Sequence, residues 1–141
     1  MSELDVCDYA YRSENLSDGE LNHAYGERVH ILSDPYHLSL LANLSSADTV
    51  QPEINHLVTT LYRDLIAAVV SREFPRIARA TDTRMIEHTP DGVFLGEVID
   101  PSTSAVAVDV ARAGMLPAQV CFDALNHVLD PRGVRQDHLI M

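Results

Sequence analysis

Apolar positions recur at spacings of three and four between Pro52 and Glu73, where Ile54, Leu57, Val58, Leu61, Tyr62, Leu65, Ile66, Val69 and Val70 form one stripe. This is the pattern of an amphipathic helix facing a core, with Pro52 in its opening turn and Pro75 ending it. A shorter helix is predicted after Ser33-Asp34-Pro35, where a capping side chain precedes a proline whose fixed φ suits a first turn. Tyr36, Leu38, Leu40 and Leu41 make its expected buried side. Just before it, Val29-His30-Ile31-Leu32 alternates weakly, as a short strand does. Residues 1–28 carry seven acidic residues against two arginines and no sustained period. They are expected to form a loosely ordered acidic extension, docked in part by Tyr9, Tyr11 and Tyr25.

Past residue 82 the period changes. Arg84–His88 and Val93–Ile99 flank Thr89-Pro90-Asp91-Gly92, a run of turn formers, so a β-hairpin is expected there. Asp100–Ser104 is a second turn cluster. Ala105–Val110 is short and rich in β-branched residues, as in a buried strand, and Ala111-Arg112-Ala113-Gly114 breaks it. A helix over roughly Pro117–Leu129 follows, with Val120, Cys121, Ala124, Leu125 and Val128 on its inner side. Asp130-Pro131-Arg132-Gly133 stops it, and Val134–Met141 reads as another strand. Strand, loop, helix and strand in that order make a right-handed βαβ unit with two parallel strands. The helix at 52–73 is expected to cover the sheet's other face. The fold class is α/β, with N-terminal helices, a β-hairpin and a βαβ parallel-sheet unit.

Length and composition narrow the chemistry. At 141 residues and 46% hydrophobic content, residues 29–141 fit one domain with a real core behind the extension. No apolar run approaches the ~18 residues of a membrane span, no secretory leader opens the chain, and a cytoplasmic location is expected. The net charge is −11, which disfavours a general nucleic-acid binder. All ten basic residues are arginine. Without lysine there is no Schiff-base amine and no Walker-type lysine. Cys7 and Cys121 give no disulfide or zinc framework.

Ligands in open α/β sheets gather at the carboxyl ends of the strands. The loop of that kind is Ala111-Arg112-Ala113-Gly114-Met115, which follows a strand and runs into a helix. Glycine lets the backbone approach a ligand, a helix start presents free N–H groups to an anion, and arginine adds a charge-assisted fork. A phosphate or diphosphate cradle is one reading. The other is an arginine bridging a strand end to an acidic neighbour beside a turn glycine.

Other constellations are thinner. His23, His30 and His37 are seven apart, no histidine pair has the i, i+4 spacing of a helical zinc site, and no metal site is expected. Cys121 and His127, six apart on one helix, point to different sides and cannot pair as nucleophile and base. No Gly-x-Ser-x-Gly elbow occurs. Arg63, Arg72, Arg76, Arg79 and Arg84 form either a nucleotide or RNA patch or a solvated helix end that offsets an acidic protein.

From Gly26 to Met141 the chain resembles the amino-terminal half of uracil phosphoribosyltransferases. The resemblance rests on Val29–Pro35, the long helix ending near Phe74-Pro75, the Thr89–Gly92 hairpin, and above all Val108-Asp109-Val110-Ala111-Arg112-Ala113-Gly114-Met115. It implies a partial type I phosphoribosyltransferase-like fold and the transfer of ribose 5-phosphate from phosphoribosyl pyrophosphate (PRPP) to uracil, giving UMP and pyrophosphate. It also implies that Arg112, Ala113 and Gly114 bind PRPP, that Mg2+ arrives with the PRPP, and that the protein is a homodimer or larger, with the hairpin as one place where subunits meet.

The chain departs from that family in three ways. It has no adjacent glycines and no Thr-Gly pair, so the family's second phosphate loop, Asp-Pro running into Ala-Thr-Gly-Gly, has no counterpart. The uracil-binding segment also has none, and Asp109 stands where the family commonly has proline. The expectation is therefore a truncated form with little activity alone and no catalytic residue of its own. The alternative is a non-catalytic phosphoribosyltransferase-like module that binds a nucleotide, RNA or a protein partner.

Overall fold

The computed structural model describes residues 20–140. In chain order its elements are helix α1 (Pro35–Leu44), helix α2 (Glu53–Glu73), strands β1 (Arg76–Asp82), β2 (Val93–Ile99) and β3 (Ala105–Val110), helix α3 (Met115–Asn126), a 3-10 turn (Pro131–Gly133) and strand β4 (Val134–Leu139). Both α-helices and small sheets are present, one sheet antiparallel and one parallel. Two compact units divide the chain, Met1–Leu61 and Tyr62–Met141.

In the first unit Glu20 bridges Leu32, and the Leu21 N–H donates to the Ile31 carbonyl at 2.9 Å. Leu21 is buried, so this end of the acidic extension is tied down. Residues 1–19 of that extension, with Tyr9 and Tyr11, lie outside the described residues, and Tyr25 is exposed. The strand expected at Val29–Leu32 is reduced to the single bridge. Helix α1 begins where its cap predicts: the Asp34 carboxylate accepts from the Tyr36 and His37 amides at 3.0 and 3.1 Å, with Pro35 in the first turn. The His37 ring bonded to Asp34 holds that carboxyl below its ordinary range. The buried side expected for α1 does not form: none of its residues is buried, and Tyr36 is exposed. Among the described residues of this unit, Leu21 and Leu57 are the buried apolar side chains, too few to give a ten-residue helix something to pack on.

In the second unit the hairpin exists, but its first strand is not Arg84–His88. Strand β1 pairs antiparallel with β2 from Arg76↔Ile99 to Asp82↔Val93. Residues 84–88 instead belong to the connection, which is closed by Thr83 N–H to Gly92 O at 2.8 Å and by turns such as His88 N–H to Met85 O at 2.9 Å. The sequence Arg-Ile-Ala-Arg-Ala-Thr-Asp of β1 has no apolar alternation because every one of its residues is exposed. Backbone pairing with β2 makes it a strand, and backbone pairing leaves no hydrophobic signature.

Strands β3 and β4 pair parallel from Ala105↔Val134 to Val110↔Leu139, joined through α3, so the strand–helix–strand unit is present. Val70 of α2, Leu125, Leu129 and Val134 form its core, with Ile66, Phe74, Ile99, Ala105 and Phe122 packed around them. Leu129 takes the buried place expected of Val128, which is exposed, because α3 ends at Asn126 and the chain then turns. Two further expectations are corrected here. Ala105 and Val134 are register partners and point to the same side, where Ile66 and Val70 of α2 and Phe122 and Leu125 of α3 gather. Both helices therefore serve one face. The other face carries Val106 and Val108, which are 59% and 55% exposed, so β3 is buried on one side only.

Candidate functional site

The parallel pairing fixes where the Arg112 loop lies. Both strands run in the same direction, so residues 111–114 sit at the carboxyl end of the pair, and the Ala111 N–H extends the ladder to Leu139 O at 2.9 Å. The Ala111–Arg112 peptide bond is cis. The Gly114 N–H returns to Val110 O at 3.2 Å, and the Met115 N–H to Arg112 O at 3.2 Å, which fold the loop tightly into the start of α3. Among the described residues, the amides of Arg112 and Ala113 donate to no carbonyl or side chain. Gly114 precedes α3 without a side-chain cap. The result is a helix start with free donors and a positive dipole end.

Arg112 is exposed and makes no ion pair among the described residues. Among the described residues it bridges to no acidic neighbour. It borders a cavity of about 700 Å³ lined by the loop, all of β3, Pro117, Ala118, Cys121 and Leu125, and by Tyr62, Ile66 and Phe74. That volume is in the range of small-molecule pockets, and its largely apolar lining includes two charged residues, Arg112 and Asp109. The expected site residues Arg112, Ala113 and Gly114 are brought together at its rim.

One feature of the site was missed in the sequence. Asp109, the last residue of β3 on the buried face, has a side chain 4% exposed. His138, its register partner on β4, donates from Nδ1 to Asp109 Oδ2 at 2.7 Å. The other carboxylate oxygen, Oδ1, is buried with no partner among the described residues. Gly114 lies directly against this side chain: a Cβ there would sit 2.8 Å from Asp109 Cβ and 3.0 Å from Val110 O. Gly114 is therefore required by contact with Asp109 and the β3 backbone. The available clue was a charged residue inside a run of valines, but its partner lay 29 residues away and only the strand register reveals it.

The remaining candidates do not converge. Cys121 lines the large cavity, and burial pushes its thiol above the ordinary value. His127 lines a separate cavity of about 220 Å³ with Arg63, Val70 and Asp123, so thiol and imidazole do not meet. In the first unit His23 Nε2 lies 2.7 Å from Val29 O, and His30 and His37 contact Glu20 and Asp34. Among the described residues, no three His, Cys, Asp or Glu side chains gather as a metal site. Arg76 and Arg79 on β1 are three apart and so point to opposite faces of the strand, which splits the arginine cluster. No described helix is long and apolar enough to cross a membrane. No protein-family model matches the sequence, and no curated protein matches it either.

Proposed function

We propose that this chain is a uracil phosphoribosyltransferase-like protein whose Arg112–Gly114 loop binds PRPP through its diphosphate. One observation carries the reading: an arginine and two amides with no partner among the described residues stand at the carboxyl end of a parallel strand, before a helix without a side-chain cap, beside a cavity of about 700 Å³. Donors of this kind are set in place before reaction and stabilise charge that builds up on a leaving diphosphate. Mg2+ would enter with the PRPP as part of the substrate. Assembly as a homodimer or larger rests on the family resemblance, and action in the cytoplasm on two cysteines that give no disulfide framework.

These residues contain a single phosphate loop of this type, because the sequence has no adjacent glycines and no Thr-Gly pair. Gripping the diphosphate alone leaves the ribose and the base unoriented, and orientation supplies about 7–11 kcal/mol of barrier reduction. A second reading is a phosphoribosyltransferase-like module that binds a nucleotide, RNA or a protein partner without turnover. Calorimetric titration with PRPP separates the outcomes. The wild-type chain binds PRPP, and Arg112→Ala weakens binding by roughly 10- to 150-fold, as expected for charge-assisted hydrogen bonds of about 1.5–3 kcal/mol. An assay of UMP formation from uracil and PRPP gives little product. Absence of PRPP binding by the wild type overturns the reading, and brisk UMP formation overturns the expectation of poor turnover.

A further inference from the structure

The large cavity extends well beyond the Arg112 loop. Every residue of β3 lines it, so it runs the length of that six-residue strand, about 16 Å at roughly 3.3 Å per residue. Arg112, Ala113 and Gly114 lie at one end, where the strand finishes. At the other end is Ala105, which packs, as Phe74 and Ile66 do, against the core cluster that contains Leu125, and all four line the cavity. A diphosphate held by the loop fills the first end. The rest of about 700 Å³ is left to whatever the diphosphate carries.

Shape and lining decide what that is. The space follows a strand, so it suits a linear group better than a compact ring. Beyond the loop its side chains are mostly aliphatic or aromatic, and the polar ones offer little. Asp109 has its Oδ2 bonded to His138 and its Oδ1 shut off from solvent, so at 4% exposure it presents almost no surface to a ligand. The Cys121 thiol, pushed up by burial, stays protonated and is a weak hydrogen-bonding group. A polyhydroxylated group pushed this far in would lose its water and find few side-chain partners, at a cost for each unpaired group. An apolar chain needs no partner and gains by leaving water. We propose, on the basis of the diphosphate reading of the Arg112 loop, that the cavity behind it holds the linear apolar tail of a diphosphate ester, as in a prenyl diphosphate. The anionic head lies on Arg112 and the loop amides, and the tail runs along β3 between α2 and α3 toward Ala105. The loop thus serves a second class of ligand besides PRPP.

Calorimetric titration of the full chain with inorganic diphosphate and with geranyl diphosphate, the latter below its micelle-forming concentration, reads the tail directly. Each methylene-sized group taken out of water is worth about fourfold in affinity. Geranyl diphosphate therefore binds at least about thirtyfold more tightly than inorganic diphosphate, which asks for roughly three such groups. PRPP displaces it, because the two share the loop. Cys121→Phe puts a ring into the cavity and brings the affinity ratio below about threefold. A second readout needs no variant. Alkylation of Cys121 by iodoacetamide, followed by peptide mass spectrometry, is slowed about tenfold by geranyl diphosphate at about ten times its Kd, and is not slowed by inorganic diphosphate, which stays at the loop. Equal affinity for the two diphosphates overturns the proposal, as does an unchanged ratio in Cys121→Phe or an alkylation rate indifferent to geranyl diphosphate. In those cases binding of inorganic diphosphate or PRPP leaves the loop reading standing. Absence of binding by any of the diphosphates overturns that reading as well.

Discussion

The hairpin β1–β2 and the parallel unit β3–α3–β4 contain similar stretches of valine, isoleucine and alanine, yet the two are held by different forces. The hairpin is held by backbone pairing over seven register positions, with every residue of β1 exposed and Leu95 of β2 at 75% exposure. The parallel unit has six paired positions and places Leu125, Leu129 and Val134 in a core shared with Val70. Hydrogen bonds between exposed strands replace bonds to water and contribute little net, whereas burial of apolar surface contributes in proportion to its area. The candidate site belongs to the region with the core. A loop that must hold an arginine and two amides in fixed positions needs a rigid support beneath it, and the strand end with Asp109 packed against Gly114 supplies one.

The largest test of that contrast is a pair of truncations. Leu125→Ala, at a side chain 4% exposed, should cost about 2–5 kcal/mol of unfolding free energy, while Leu95→Ala should stay within about 0.5 kcal/mol. Denaturant melts of both variants check it, and similar losses would remove the distinction between the two regions.

A pair of glycines sharpens it. In Gly114→Ala the new methyl group meets the Asp109 Cβ at 2.8 Å and the Val110 carbonyl at 3.0 Å, neither of which can move without displacing the strand. A loss of about 1–3 kcal/mol is expected, together with weaker PRPP binding. In Gly96→Ala the close neighbour is the tip of the exposed Phe94 ring at 2.9 Å, which can swing aside. That variant should be near neutral, and a thermal melt of each distinguishes them.

The smallest effect concerns pH. Arg132, hydrogen-bonded to Asp130 beside the start of β4, lowers that carboxyl from 3.8 to about 2. The folded value is depressed, so the contribution is fully present above pH 3.8 and is lost as pH falls toward 2. Both groups are exposed, which makes the effect small. Asp130→Asn should lower stability slightly above pH 5, with no change of slope there, and flatten the acid limb so that the two curves converge toward pH 2.

Helix α2, the cap of α1 and the order of strand, loop, helix and strand in the second unit were legible along the chain. So was the Arg112–Gly114 loop as an anion candidate. In each case the signal is local: an apolar stripe, a capping carboxylate, or a glycine and arginine between two elements. The first hairpin strand was not legible, because Arg76–Asp82 is a strand through its partner alone. The exposed side of β3 was also hidden, since Val106 and Val108 look like core residues until the positions of both helices are known.

The sequence by itself determined which segments become helices, that no lysine chemistry is available, and that one arginine-bearing loop joins a strand to a helix. Only the tertiary structure decided that Arg112 lies beside a cavity, that His138 meets Asp109, and that the other Asp109 carboxylate oxygen is buried with no partner among the described residues. The physical reason is range. Propensity and capping act within a few residues and leave their mark on neighbouring letters. Register, burial and the pairing of charges join residues far apart in the chain, and they come into being only when the strands align.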